Sequence, residues 1–101
     1  MSVLKLPNEK ELIKTMCRNN IKFAALFGSR AKGIAVTESD YDILVEFSPD
    51  AKIGLFKYQV IEDEISSTLG QRVDLVTIGG IDKHIKNEVL KSMRIIYDNR
   101  T

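Results

Sequence analysis

Apolar and polar residues follow two different periods along this chain, and the changes of period mark out seven segments. Residues 8–19 and 53–69 carry apolar side chains three or four positions apart, which predicts helices with one buried face. Residues 82–91 repeat that spacing, with Ile85, Val89 and Leu90 expected to point inward. Short apolar or alternating runs predict strands at residues 21–27, 41–47, 72–78 and 94–97. This succession predicts an α/β sheet covered by helices.

Polar residues at the segment ends support these boundaries. Asn8 and Asp82 are suited to cap the first and last helices, and Gly70 lies where the middle helix should end. The segment between residues 28 and 39 is too short for a helical crossover. The two strands that flank it are therefore predicted to pair antiparallel.

The length and composition predict one cytoplasmic domain, covering residues 1–101. No linker or repeat divides the chain, no apolar run reaches the length of a membrane span, and the N-terminus lacks the apolar core of a signal peptide. Cys17 is the single cysteine, so an internal disulfide is impossible. Its helical spacing from Ile13 predicts a small buried side chain.

Positive and negative charges nearly balance, with 15 Lys and Arg against 14 Asp and Glu, for a formal net charge of +1. Proteins that bind nucleic acid through many phosphates usually carry a basic surface. The charge balance therefore argues against a nucleic-acid-binding protein. It still allows a small anionic ligand, because one local Arg or Lys can serve a nucleotide.

Three aspartates fall on predicted strands or directly before one. Asp40 and Asp42 lie two positions apart, so they project to one face with Cα atoms about 7 Å apart. Asp74 alternates with Val73 and Leu75 and joins that face if its strand lies beside the other. Carboxylates this close repel one another unless a cation neutralises them. Ligands made only of oxygen favour Mg²⁺ or Mn²⁺ over zinc.

The turn at Gly28-Ser29 directly follows the first predicted strand. Gly28 has no Cβ and allows a ligand to approach the backbone, and Ser29 supplies a hydroxyl. If a short helix begins here, its backbone N–H groups point toward a bound phosphate, with the positive charge of Arg30 nearby. The P-loop pattern is absent.

Each of these signals has a simpler explanation when it is taken alone. An Asp-x-Asp pair at the start of a strand is common in turns and on solvated surfaces. Arg72 lies on the same face as Asp74 and could merely pair with it. A Gly-Ser dipeptide is usually an ordinary turn.

Taken together, Gly28-Ser29, ten intervening residues and Asp40-x-Asp42 resemble the signature of the polymerase-β-like nucleotidyltransferase superfamily, and the small size resembles its minimal nucleotidyltransferase (MNT) branch. The resemblance covers about residues 21–78 and includes Asp74 as the third acid. It implies an α/β (α+β) nucleotidyltransferase fold, a mixed β-sheet with helices packed on one face and the active site on the other.

The resemblance also implies roles for the site residues. Asp40 and Asp42 would bind metal and the nucleotide triphosphate, and Asp74 would bind metal and help to deprotonate the acceptor hydroxyl. The terminal phosphates would be held by Gly28 and Ser29, with assistance from Arg30. The implied cofactor is Mg²⁺ or Mn²⁺, the implied substrate is ATP, and pyrophosphate would leave.

Minimal proteins of this kind resemble antitoxins that pair with HEPN-domain ribonuclease toxins and transfer AMP to a toxin tyrosine. Because only one helix and a short tail follow the core, we expect a partner, a second copy or the substrate to supply the acceptor. Two other functions stay open. The protein could mask its partner without catalysis. Alternatively, it could transfer a nucleotide to RNA or a small molecule, but the charge balance and the missing acceptor domain argue against this function.

Other conspicuous residues predict packing or solvation. The only histidine, His84, is expected to lie at the surface or cap a helix, and Phe47, Phe56 and Tyr58 are expected in the core or at an interface. The tract 62–64 predicts a solvated helix face. Four basic residues are either solvated or face an acidic partner: Lys83, Lys86, Lys91 and Arg94.

Overall fold

The computed structural model of the protein describes residues 6–28 and 40–100. Within these ranges the helices are α1 (Glu9–Arg18), α2 (Leu55–Leu69) and α3 (Lys83–Ser92). The strands are β1 (Ile21–Phe27), β2 (Tyr41–Phe47), β3 (Val73–Thr77) and β4 (Arg94–Asp98), and a 3-10 turn (Ile78–Gly80) follows β3. Each predicted helix and strand is present, with small shifts at the ends.

The four strands form one mixed sheet in the order β3-β2-β1-β4. β1 pairs antiparallel with β2 and with β4, which confirms the antiparallel pairing predicted on either side of the segment after Gly28. β2 and β3 run parallel and are joined by α2. The N-terminal ends of β2 and β3 therefore lie side by side, next to the C-terminal end of β1.

α1 and α2 cover one face of the sheet, as predicted. Alternation along β2 turns Ile43 and Val45 toward these helices and Asp42 away from them. An ion pair of 2.8 Å between Arg18 and Glu64 joins the two helices at the surface. The buried residues that pack here come from both helices and three strands: Leu12, Met16, Ile61, Ile65, Leu69, Ile21, Ala24, Leu26, Tyr41, Ile43, Val45, Val73 and Leu75.

α3 lies against the opposite face of the sheet. Its Val89 packs with Phe23, Ala25 and Leu44, and it is the single buried residue within α3. Ile85 and Leu90 were predicted to point inward, but they are 46% and 41% exposed, so that prediction is wrong for both. The reason is that, among the described residues, α3 packs on the sheet mainly through Val89.

The helix ends confirm two of the three predicted caps. Gly70 ends α2 in the left-handed conformation with φ 73°, and the Asp82 carboxylate accepts a hydrogen bond of 2.9 Å from the backbone N–H of His84. The prediction for Asn8 is wrong, because its side chain makes no capping bond. Instead it donates a hydrogen bond to the carbonyl of Thr68 and ties α1 to the end of α2.

One prediction about a single side chain is also wrong. Cys17 is exposed, and its thiol donates to the Tyr97 hydroxyl at 3.0 Å. The inward face of α1 passes through Thr15 and Met16, and a helix turns by about 100° per residue, which carries Cys17 off that face. Phe56 is 85% exposed, so it lies outside the core, and its other expected place, at an interface, stays a prediction.

The other two aromatic side chains pack against the core, one of the two places predicted for them. Phe47 and Tyr58 are partly buried against the core, with ring centroids 6.4 Å apart. In the ranges 6–28 and 40–100, no helix is long and apolar enough to cross a membrane.

Candidate active site

Asp42 and Asp74 occupy directly paired positions on two parallel strands. Asp42 on β2 is the register partner of Asp74 on β3, so the two carboxylates leave the sheet on the same face. This face is opposite the one covered by α1 and α2. The prediction that Asp74 joins Asp42 is therefore confirmed in position.

Burial and the neighbouring negative charges at this end of the sheet make ionisation of the Asp42 carboxyl less favourable. Burial raises the pKa of the Asp42 carboxyl above its usual range, and the negative charges of Asp74 and Asp40 raise this pKa further. Asp74 and Asp40 are both exposed, whereas Asp42 is partly buried. Such a set of like charges attracts a cation, and oxygen-only donors suit a hard divalent ion.

Asp40 is engaged with a neighbouring basic residue. Its Oδ2 lies 4.0 Å from Nε of Arg72 in an exposed ion pair. Arg72 was expected to pair, if at all, with Asp74, so its observed partner is different. Among the described residues, no three His, Cys, Asp or Glu side chains are placed to hold a metal ion. Asp42 and Asp74 by themselves offer two carboxylates on one face, which suit a divalent ion, and Asp40 would have to turn from Arg72 to complete a set of three.

Gly28 lies directly against the Asp42 carboxylate. Phe27, at the end of β1, is the register partner of Asp42, which brings the next residue beside that side chain. Gly28 has φ +76°, a conformation that residues with a Cβ rarely adopt. A Cβ built at this position would lie 2.3 Å from Oδ2 of Asp42. Gly28 was predicted to let a ligand approach the backbone. The absence of a Cβ at this position also leaves room for the Asp42 carboxylate.

A small cavity of about 130 Å³ lies between Gly28 and α3. Its lining is mostly apolar, from Phe27, Ile85 and Val89, with Glu88 and Ser92 as polar groups. Binding pockets that enclose a whole small molecule typically measure about 300–1,000 Å³. This cavity can therefore take a single ring or group beside Gly28, but not an entire nucleotide.

The side chains that support β3 were not predicted from the sequence. The tract 62–64 was predicted to be solvated, yet Glu62 is partly buried and its Oε2 accepts a hydrogen bond of 2.9 Å from the backbone N–H of Leu75. Glu64 is also engaged, through Arg18, and Asp63 alone of the three is exposed. Polar residues spaced four apart on α2, at Tyr58, Glu62 and Ser66, are the signal that could have revealed this contact.

Some predicted residues lie elsewhere. Ser29 and Arg30 fall outside the described residues, as does the short helix expected after Gly28. His84 is exposed on α3, as expected for a surface or capping position. Lys83, Lys86 and Lys91 are exposed on the same helix.

The sequence of this chain matches one protein family and a named relative. Residues 10–101 match the family described as polymerase beta, nucleotidyltransferase. Protein adenylyltransferase MntA of Thermococcus cleftensis is 34% identical over 76 residues, which cover 75% of each sequence.

Two solved structures share the fold. A toxin–antitoxin structure with AMP-PNP has a chain that superposes with a TM-score of 0.75 at 23% identity, over 92% of this chain and 75% of that one. A second structure contains the tri-AMPylated Shewanella oneidensis HEPN toxin in complex with an MNT antitoxin. Its matching chain has a TM-score of 0.66 at 22% identity, over 90% of this chain and 70% of that one.

Proposed function

This chain belongs to the polymerase β nucleotidyltransferase family, and from that premise we propose that it transfers AMP from ATP to a hydroxyl of a partner protein. The observation that carries the proposal is the direct pairing of Asp42 with Asp74, with Gly28 packed against Asp42. These are the positions at which the family resemblance implies two of the acids and the phosphate turn. The relative with 34% identity is named a protein adenylyltransferase.

The transfer requires one bond to form and one to break. The acceptor oxygen attacks the α-phosphorus of ATP, and the bond from that phosphorus to the bridging oxygen of the β-phosphate breaks, so that pyrophosphate leaves with the electron pair. Asp74 accepts the proton of the attacking hydroxyl. It is suited to this role because it is exposed and lies beside Asp42.

The acids bind and orient the reactants. Asp42 and Asp74, joined by Asp40, would hold Mg²⁺ or Mn²⁺, which when bound supplies positive charge to the transferring phosphoryl group. Partial burial of Asp42 strengthens its interaction with such a charge. Gly28 leaves the backbone open beside the acids, and we assign Ser29 and Arg30 to the terminal phosphates of ATP.

We assign the partner to the HEPN class of toxins, with a tyrosine as acceptor, so that this protein acts as an antitoxin. Support comes from the fold shared with a toxin–antitoxin structure that contains AMP-PNP and with the MNT antitoxin bound to a tri-AMPylated HEPN toxin. The assignment also places the protein in the cytoplasm, where ATP and the RNA targets of such a toxin are found. The complex would be a hetero-oligomer.

A second candidate function is to mask the partner by binding alone. The exposed ion pair between Asp40 and Arg72 favours it, because Asp40 is turned to a basic residue rather than to a shared metal site. Exposed pairs of this kind contribute at most about 1 kcal/mol, so a bound cation can displace Arg72. We therefore place catalysis first.

The test combines labelled ATP, Mg²⁺ and the product of the neighbouring gene, which we expect to be a HEPN protein. Wild type should label that protein, and Asp42→Asn should lower the rate by about 10²-fold or more, because the charge that binds the metal is lost. Asp50→Asn, an exposed aspartate in the turn after β2, is the matched control and should match wild type.

The outcomes separate the candidates. If wild type binds the partner but labels nothing on it, catalysis is rejected. If Asp42→Asn still neutralises the toxin fully, masking is sufficient. Labelling of RNA or of a small molecule without any protein partner would instead support the third possibility raised by the sequence.

A further inference from the structure

A stripe of polar side chains on α2 faces the open edge of β3. Among the strands that the structure describes, β3 is the last in the sheet order, so its outer backbone groups have no strand among them to bond. Tyr58, Glu62 and Ser66 are spaced four residues apart and therefore lie on one side of α2. That side is turned toward the β3 backbone.

Each member of the stripe makes a hydrogen bond with that edge. Glu62 Oε2 accepts from the N–H of Leu75 at 2.9 Å, and Ser66 Oγ accepts from the N–H of Val73 at 3.1 Å. The hydroxyl of Tyr58 donates to the carbonyl of Leu75. Both backbone groups of Leu75 are thus bonded to α2, together with the N–H of Val73.

The two bonded residues flank Asp74. Backbone groups of alternate residues in a strand point to opposite edges, so Val73 and Leu75 face α2 while Asp74 faces β2. Its register partner there is Asp42. The position of Asp74 is therefore set by β2 on one side and by α2, through its two neighbours, on the other.

We infer that Tyr58, Glu62 and Ser66 form an edge clamp that holds Asp74 opposite Asp42. They are positioning residues, since none of them touches the site where ATP would react. The hydrogen bonds define the clamp on their own, and its catalytic consequence rests on the proposed nucleotidyl transfer.

Glu62 contributes most to the clamp. A hydrogen bond from a backbone N–H to a carboxylate is charge-assisted and stronger than one to a hydroxyl. The Glu62 side chain is itself partly buried and fixed by a second bond, in which its Oε1 accepts from Nε2 of Gln59 at 3.2 Å. The same three side chains occupy an edge that another strand could otherwise join.

The experiment compares Glu62→Ala with Glu62→Gln, which keeps an acceptor oxygen, and with Ser67→Ala, an exposed control on the same helix. In Glu62→Ala the amides of Leu75 and Asp74 should exchange with solvent about tenfold faster than in wild type, because one partly buried bond is lost. The value of kcat per folded molecule for AMP transfer should fall by about the same factor, and the KM for ATP should stay within about twofold. Glu62→Gln should restore both properties, and Ser67→Ala should change neither.

Several results would overturn the inference. Unchanged exchange at Leu75 in Glu62→Ala would show that the clamp does not hold the strand. Faster exchange with an unchanged kcat, or faster exchange at Leu75 but not at Asp74, would show that it holds the strand without positioning Asp74. If wild type transfers no AMP, the proposed function fails, and the exchange rates at Leu75 and Asp74 still decide whether the clamp holds Asp74 in register.

Discussion

At the scale of single residues, Gly28 and Asp42 depend on each other. The turn after β1 needs a residue that tolerates a positive φ, and the neighbouring strand needs room for a partly buried carboxylate. A Cβ at position 28 would disturb both the backbone and the acid. The geometry of the site is therefore sensitive to one methyl group.

Gly28→Ala should lose activity far beyond its loss of stability. The backbone strain costs about 1–2 kcal/mol, and the Asp42 side chain has to rotate away from the new methyl group. Gly70→Ala is the matched control, because Gly70 has φ +73° and open space around it. Urea unfolding should show similar losses for both variants, whereas AMP transfer should fall by about 10²-fold only in Gly28→Ala. Full activity in Gly28→Ala would contradict the proposed role of this contact.

The raised pKa of Asp42 predicts a pH-dependent cost to stability. Below the ordinary pKa of aspartate, about 3.9, the carboxyl is protonated in both folded and unfolded states. As the pH rises through the higher pKa of the folded state, the stability that the protonated form contributes is lost. Asp42→Asn should therefore unfold at higher urea concentration than wild type at pH 7, and this advantage should disappear at low pH.

Partial exposure limits the size of this effect. Solvent screening should keep the gain of Asp42→Asn at pH 7 below about 1 kcal/mol. Asp50→Asn should show no such gain, since Asp50 is exposed in a turn. A wild type that is more stable than Asp42→Asn at pH 7, measured without divalent ions, would mean that the Asp42 charge is already compensated.

At the scale of elements, the three helices differ in how firmly they are held. α1 and α2 each bury several residues in the main core, whereas α3 buries Val89 alone among its ten residues. An element with few buried contacts opens at a lower free energy than the whole protein unfolds. α3 borders the cavity beside Gly28, so its opening would change access to that cavity.

Amide exchange should detect this difference. The amides of α3 should exchange faster than those of α1 and α2, and Asp82→Ala should accelerate α3 further by removing a cap worth about 1 kcal/mol. Lys83→Ala, an exposed change in the same first turn, is the control and should leave the rates close to wild type. Equal protection of all three helices would show that α3 opens only with the whole protein.

At the scale of the whole molecule, the candidate site is a meeting of distant segments. β1 brings Gly28, β2 brings Asp42 and β3 brings Asp74, and α2 fixes the outer edge of β3. The fold places these acids together although their charges repel. A ligand that neutralises them should therefore stabilise the entire fold.

Addition of Mg²⁺ or Mn²⁺ should raise the Tm of wild type, because a cation that binds the folded state shifts the unfolding equilibrium. A binding contribution of about 1 kcal/mol corresponds to a rise of about 4–8 °C for a domain of this size. The rise should be reversed by a chelator and should be smaller in Asp74→Asn. An equal rise in Asp74→Asn would place the cation elsewhere on the protein.

The sequence by itself determined the elements and much of the site. Periodicity predicted the helices and strands, because the turn of a helix and the alternation of a strand are local properties. The same alternation predicted one face for Asp40 and Asp42, and it turned Ile43 toward the helices. Caps at Gly70 and Asp82 were likewise predicted from neighbours in the chain.

Only the tertiary structure decided which distant groups meet. Strand order and register placed Asp74 opposite Asp42. Arg72 pairs with Asp40 because these two residues directly precede β3 and β2, which lie side by side in the sheet. The exposure of Cys17 depended on how α1 is rotated against the sheet. The sequence predicted Glu62 to be solvated. Its hydrogen bond to β3 could not be predicted, because an open strand edge exists only once the sheet has formed.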